Sequence, residues 1–243
     1  MKNPKTRNTI LAVIGLVLIV PALPLCGPTA QTASPGEERI DRSIEALKEL
    51  MALPPAEQGM PASILRKCRG IAIFPGVIKA AYGIGGQFGK GIVLVKSEAG
   101  EWSDPAFVSL VGGSIGWQIG VQKADIILVF KTAKSIENIA GGKITLGADL
   151  SVAAGPVGRQ AEASTDLDME AEIYSYSKSK GLFAGVSLKG ASIQADREAN
   201  AAFYGRRDIS ANDILQGRGP ERPPVIDDLK RVLERYTTGL RRI

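Results

Sequence analysis

The chain has 243 residues, 44% hydrophobic and 23% charged, the composition of a folded domain rather than a disordered or fibrous chain. Its net charge is +5 at pH 7, but Lys2, Lys5 and Arg7 lie in a leader-like segment, and without residues 1–25 the charge falls to +2. A nearly neutral chain is not expected to bind nucleic acid, and two cysteines with no histidine leave no zinc or iron–sulfur site, so no metal or cofactor is expected.

In chain order, the three cations precede "ILAVIGLVLIV" (10–20), an apolar run of eleven residues. Such a run is short of the roughly 20 residues that span a bilayer and suits the apolar stretch of a signal peptide. "LPLCGP" follows, so residues 1–26 read as a signal peptide whose end resembles a bacterial lipobox, with Cys26 as the lipidated residue. Leu25 departs from that motif, where Gly, Ala or Ser is usual. Cleavage near Ala30 and an uncleaved anchor are the alternatives. Residues 27–36, "GPTAQTASPG", read as a flexible tether to a domain over 37–243. The expected location is the cell envelope, lipid-anchored and facing the periplasm. Cys68 is then an unpaired thiol, expected in the core; a 26–68 disulfide is the alternative in an oxidising compartment.

Ile40, Ile44, Leu47 and Met51 recur at helical spacing and predict a helix from Glu37 to Leu53. A short helix "ASILRKCR" leads into a strand "GIAIFP" (70–75), and a β-rich stretch follows with apolar runs at 92–95, 106–111 and 125–130. "TAKSIENIAGG" (132–142) reads as a short helix with a glycine stop. "DLDMEAEIY" alternates apolar and acidic residues, which predicts a strand with one wet face. "SKSKG" is expected to turn it into "LFAGVSLKGASIQAD". Val225, Leu229, Val232, Leu233 and Tyr236 form one stripe of a last helix over 224–238.

Glycines recur within strand-type sequence, in "YGIGGQFGKG", "VGGSIGWQIG", "GGKITLGADLSVAAGPVG" and "GLFAGVSLKGA". "YGIGGQFGKG" is not a phosphate loop: Gly89-Lys90 is followed by Gly91 rather than Ser or Thr, and Ile84 stands five places before Gly89. Counted from Gly83, the last place of a dinucleotide turn is Phe88. Glycines in strands permit bulges and close backbone approach. The expected fold is α+β, a curved, Gly-rich antiparallel sheet or partial barrel of four such strands or hairpins, flanked by N- and C-terminal helices.

No catalytic set assembles, and the chain is not expected to be an enzyme. "GGSIG" (112–116) fits the nucleophile elbow, but Ser114 has no histidine to serve as its base. Asp166, Asp168, Glu170 and Glu172 share one strand face, which reads as solvated rather than as an acid/base pair.

From about residue 62 the chain resembles the SYLF domain family. The similarity lies in "CRGIAIFPGVIKAAYGIGGQFGKGIVLVK", "GEWSDPAFVSLVGGSIGWQIGVQKADIILVF", "GGKITLGADLSVAAGPVGR" and "YSYSKSKGLFAGVSLKGASI", with "NAAFYG" and "DILQG" extending it to about 217. The resemblance implies a domain that binds phosphoinositide or other anionic lipid through basic and amphipathic residues near its N-terminus. Bacterial members are typically envelope lipid-binding lipoproteins. Actin binding, and the SH3 or FYVE domains of some eukaryotic members, are not carried over, and the protein partner is left open. On the matching positions, Arg66, Lys67 and Arg69 beside Ile64 and Leu65 are the headgroup candidates, with Lys79 and Lys90 as weaker ones. The competing reading of that cluster is a solvated helix face. Trp102 and Trp117 are expected in the sheet core or at a lipid interface. A structural or protein-interaction module using the curved sheet is the alternative function.

Overall fold

A computed structural model describes residues 33–54, 59–157, 171–180, 188–220 and 223–238, all within one compact unit, Ala33–Ile243. Helix α1 (Pro35–Ala52) starts two residues before the expected position. Ser34 caps it, accepting from the Glu37 N–H while the Glu37 carboxylate accepts from the Ser34 N–H, and Pro35 stands where a helix needs no N–H. Its buried face is Ile40, Ile44, Leu47 and Leu50. A short helix α2 (Ala62–Lys67) follows.

Next come two strands far longer than the apolar runs suggested, β1 (Gly70–Val95) and β2 (Ala106–Phe130). They pair antiparallel from Gly70↔Phe130 to Val93↔Ala106. The sequences "YGIGGQFGKG" and "VGGSIGWQIG" are therefore the two arms of a single hairpin. The register shifts twice, between Phe74 and Val77 and between Tyr82 and Ile84, as bulges do. Helix α3 (Ala133–Gly141), capped by Thr132 and stopped at Gly142, matches the expected helix. Short strands β3 (Lys143–Thr145) and β4 (Val152–Ala154) come from the third Gly-rich stretch. Then follow β5 (Ile173–Lys180), β6 (Ser192–Ala195), α4 (Arg197–Tyr204), α5 (Ala211–Leu215) and α6 (Pro224–Thr238).

Strand β2 is the hub. It pairs with β1, with β5 from Phe130↔Ile173 to Lys123↔Lys180, and with β6 from Val108↔Ala195 to Val111↔Ser192. Strand β3 lies beyond β6 and β4 beyond β5. The fold is α+β with a curled sheet, as expected, although β4 and β5 run parallel. "SKSK" is not a turn: residues 177–180 continue β5 because the edge of β2 from Lys123 to Ile126 is open to pair with them. The alternating acidic run lies outside the described residues except at its end, where Ala171 and Ile173 are buried and Glu172 is exposed. Most of the fourth Gly-rich stretch also lies outside them.

The curl comes from β1 folding over itself. A methyl group at Gly89 would lie 2.6 Å from Val77 Cγ2, and one at Gly91 would strike the Ile73 carbonyl oxygen. At the ends of the strand, one at Gly70 would lie 2.7 Å from the Leu94 carbonyl oxygen, and the Lys96 N–H donates to the Arg69 carbonyl at 2.8 Å. Bringing the two halves this close buries both faces of "IAIF" and "IVL", so Ile71 to Phe74 and Ile92 to Leu94 are all at 0% exposure.

Helix α4 locks the far end. Asn200, 1% exposed, imitates a neighbouring strand: the Phe107 N–H donates to its Oδ1 at 2.8 Å, and its Nδ2 donates to the Phe107 carbonyl at 3.0 Å. Tyr204 donates to the Pro105 carbonyl at 2.8 Å. Both groups leave the backbone of β2 satisfied where β6 no longer covers it.

Gly91 and Gly86 separate close approach from simple strand membership. Gly91→Ala should cost about 2 kcal/mol or more, because the methyl must displace backbone, and lower the melting temperature by about 5 °C or more. Gly86→Ala, whose nearest neighbour is the Gly112 carbonyl oxygen at 3.8 Å, should stay within about 0.5 kcal/mol of the parent. Thermal unfolding of the two variants tests this; equal losses would mean that the fold-over is not what requires glycine.

Candidate functional site

The expected basic cluster sits on α2 and just after it. Arg66 and Lys67 are exposed and Arg69 is half-buried. Their apolar companions are not available to a membrane, however: Ile64 is 4% and Leu65 0% exposed, because α2 packs this side into the core. The cluster offers charge without an apolar face. Lys79, opposite Gln122 in β1, is half-buried and alternates with the outward Ile78 and Ala80, so it belongs to the other face of the strand.

Below α2 lies a buried lysine. Lys96, 8% exposed, donates from Nζ to the carbonyls of Leu65 at 3.1 Å and Arg66 at 2.5 Å, and stands 5.5 Å from the centroid of the Trp102 ring. It therefore satisfies the end of α2 and packs on Trp102, which is 4% exposed and in the core. Burial pushes the Lys96 ammonium pKa below the usual lysine range. Cys68 is unpaired and buried, as expected, and its Sγ donates to the same Leu65 carbonyl at 3.1 Å. The side chains of Ser114 and Trp117, and all of Cys26, lie outside the described residues.

A basic and apolar groove forms elsewhere, where α1 crosses the fold-over of β1. It has a volume of about 360 Å³ and is lined by Arg39 and Arg42 of α1, Ile78, Phe88 and Lys90 of β1, and Lys123 of β2. Strand alternation turns Ile78 and Phe88 to the outer face, where they are 50% and 48% exposed. Val111, opposite Phe88, and Val121, opposite Ala80, continue this apolar face at 44% and 76% exposure.

The four cations of the groove fall into two pairs. Arg39 lies 3.1 Å and Lys90 3.8 Å from Asp196 Oδ2, and Arg39 also stacks 5.1 Å above the Phe107 ring. Asp196 in turn caps α4 through its Oδ1, which accepts from the Ala199 N–H at 3.1 Å. Arg42 and Lys123 have no hydrogen-bond or ion-pair partner among the described residues, yet both reach over Gly76. A methyl group at Gly76 would lie 2.9 Å from Arg42 Nη2 and 2.5 Å from Lys123 Cε. Gly76 itself, at φ +66°, forms the bulge and donates its N–H to Asp125 Oδ1 at 2.7 Å. One acid, Glu38, lines the groove, and Glu45 and Glu49 lie in the adjoining hollow, where Glu49 pairs with Lys178 at 2.8 Å.

Two like charges without a direct ion-pair partner among the described residues, beside exposed apolar side chains, match an anionic amphiphile; Asp125, Glu45 and Glu49 share the adjoining hollow with them. Of these residues the sequence pointed only to Lys90. Arg42 and Lys123 lie 81 positions apart, and no local pattern joins them.

A family model named Ysc84, described as "Las17-binding protein actin regulator", matches residues 111–236, just over half of the chain. The chain belongs to this family. It is the SYLF family that the sequence motifs resemble. Over 182 residues the chain is 39% identical to LAS seventeen-binding protein 3 of Saccharomyces cerevisiae, covering 74% of this chain and 39% of that protein. Over 179 residues it is 39% identical to human SH3 domain-containing YSC84-like protein 1, covering 73% of this chain and 52% of that one. Protein YSC84 of Saccharomyces cerevisiae is 38% identical over 182 residues. The chain thus matches between two fifths and about half of the length of these relatives.

The Cys68 environment gives a reactivity test. Burial pushes its thiol pKa from 9.0 up to about 11. Between those values the unfolded thiol ionises and the folded one keeps its proton, so this group's share of stability is intact below pH 9 and declines above it. In a Cys26→Ser background, Cys68 should resist iodoacetamide at pH 8 in the native protein and react fully in denaturant. Rapid native labelling would show the thiol to be open to solvent.

Proposed function

We propose that this chain is a non-catalytic lipid-binding protein of a bacterial cell envelope, tethered through a lipidated Cys26. In this reading Arg42 and Lys123 receive an anionic headgroup while Ile78 and Phe88 enter the interface. The observation that carries it is the unpartnered Arg42/Lys123 pair over Gly76, beside two half-exposed apolar side chains. With a charge of only +2 beyond residue 25, firm attraction to anionic membrane needs a local cluster. The basic run followed by an apolar stretch and "LPLCGP" supports the tether. Among the described residues no helix is long and apolar enough to cross a membrane. A protein partner is the second reading, favoured by the Las17-binding description of the family.

Binding to vesicles of phosphatidylcholine with about one third phosphatidylserine tests the groove. Arg42→Gln/Lys123→Gln should weaken binding by about 2 kcal/mol, roughly 30-fold, with little loss of stability. Arg66→Gln/Lys67→Gln/Arg69→Gln should have the smaller effect, since no apolar face accompanies those charges. Both variants keep the leader, so the comparison isolates each cluster. The reverse order of effects would move the headgroup site to α2.

The tether has its own test. Cys26→Ser should leave the precursor unprocessed and remove acyl-chain labelling from the protein in cells grown with a radiolabelled or clickable fatty acid. Equal labelling and equal migration of variant and parent would show that Cys26 is not the lipidated residue.

A further inference from the structure

A second cleft lies at the sheet edge formed by β3, with a volume of about 520 Å³. Its rim carries Lys143 at the start of β3, Arg197 at the start of α4 and Arg207 in the α4–α5 connection, all exposed. None of the three has an ion-pair or hydrogen-bond partner among the described residues. The acid on the rim, Asp208, lies 3.5 Å from Arg206 and is engaged there. Gln194, the cross-strand partner of Lys143, adds an exposed amide. The floor is apolar, formed in part by the buried Ile209 and Ala211.

We infer that this cleft is a docking site for an acidic, extended peptide segment of a protein partner. Charge complementarity supplies the first reason: three cations from three separate elements converge on one concavity whose single lining acid, Asp208, is shared with Arg206. The second reason separates a peptide from a small anion. The cleft also receives the C-terminal end of α3, Ala140 and Gly142, where a helix presents carbonyls without helical N–H partners and a partial negative charge. That end repels a bare phosphate and accepts from the N–H groups of a peptide. An extended segment with carboxylates on one side therefore meets cations and carbonyls together. The inference is independent of the lipid groove, whose cations lie on α1, β1 and β2.

Fluorescence anisotropy of a fluorescein-labelled octaglutamate peptide, titrated with the full chain, tests it. Saturable binding is expected, weakening as salt rises to about 0.3 M. Lys143→Gln/Arg197→Gln/Arg207→Gln should weaken it at least about tenfold with an unchanged melting temperature, and Arg207→Gln alone should weaken it roughly threefold. Arg42→Gln/Lys123→Gln should bind the peptide as the parent does, and millimolar inorganic phosphate should not displace it. Four results would overturn the inference: absence of saturable binding, parental affinity in both cleft variants, displacement by phosphate, or loss on mutating the groove instead.

Discussion

The close passage of the two halves of β1 over one another is the constraint on which the rest of this structure depends. A strand of 26 residues cannot stay flat and still bury both of its apolar runs; it has to bend back. Where the halves meet, Gly91 faces the backbone of Ile73 and Gly89 faces the side chain of Val77. A side chain at either point would separate layers whose contact buries Ile71 to Phe74 against Ile92 to Leu94. At roughly 25 cal/mol per Å² of buried apolar surface, seven fully buried core residues outweigh the entropic cost of a few strand glycines. The close pairs Gly70/Leu94, Ile73/Gly91 and Val77/Gly89 centre the fold-back on residues 82–83, and it brings Ile78 and Phe88 into one groove. The groove is thus a by-product of how the sheet closes.

Electrostatics then decides which part of that groove can receive a ligand. Asp196 sits where α1, β1 and α4 meet and is 13% exposed as a side chain. It spends one oxygen on the cap of α4 and the other on Arg39 and Lys90. Those two cations share one carboxylate, which holds α1 and α4 on the sheet. Arg42 and Lys123, one helical turn and one strand away, have no direct ion-pair partner among the described residues, although Asp125 lines the same hollow. Lys96 shows the third way in which this fold handles a cation: deep burial, with two helix-end carbonyls and an indole face replacing water. Counting cations along the chain therefore overstates what a membrane can feel.

The parts legible in the sequence are those governed by local periodicity. The stripe over residues 224–238, the capped helix at 133–141 and the helix beginning near residue 37 each announce themselves within a few turns. The glycines were legible as sheet-shaping but not as to which of them matter: Gly89 and Gly91 lie at close approaches, whereas Gly86 has open space. The first three of the four Gly-rich strands or hairpins form one hairpin and two short strands among the described residues, because pairing across more than twenty positions leaves no local trace. "SKSK" looked like a turn by composition, yet an open edge of β2 drew it into β5. The same limit applies to the site. The cluster around Arg66 was visible because its charges are adjacent, while the pair over Gly76 exists only after β1 has bulged.

The family model and the relatives cover the two concavities to different extents. The family model covers residues 111–236, which contain most of the hub strand β2 and Lys123 but neither α1 nor any of β1. Arg39, Arg42, Ile78, Phe88 and Lys90 all lie before that span. The relatives, aligned over 74% of the chain, necessarily share β1 as well, so Ile78, Phe88 and Lys90 stand on the shared part while α1 adds Arg39 and Arg42. The cleft at β3 is divided differently: Lys143, Arg197 and Arg207 all fall within the matched span. The two sets of cations sit on separate elements, and only the junction of Asp196 with Arg197 brings them near each other in sequence. Under the proposed function and the inference drawn from the cleft, lipid and peptide would meet separate sets of cations within one domain.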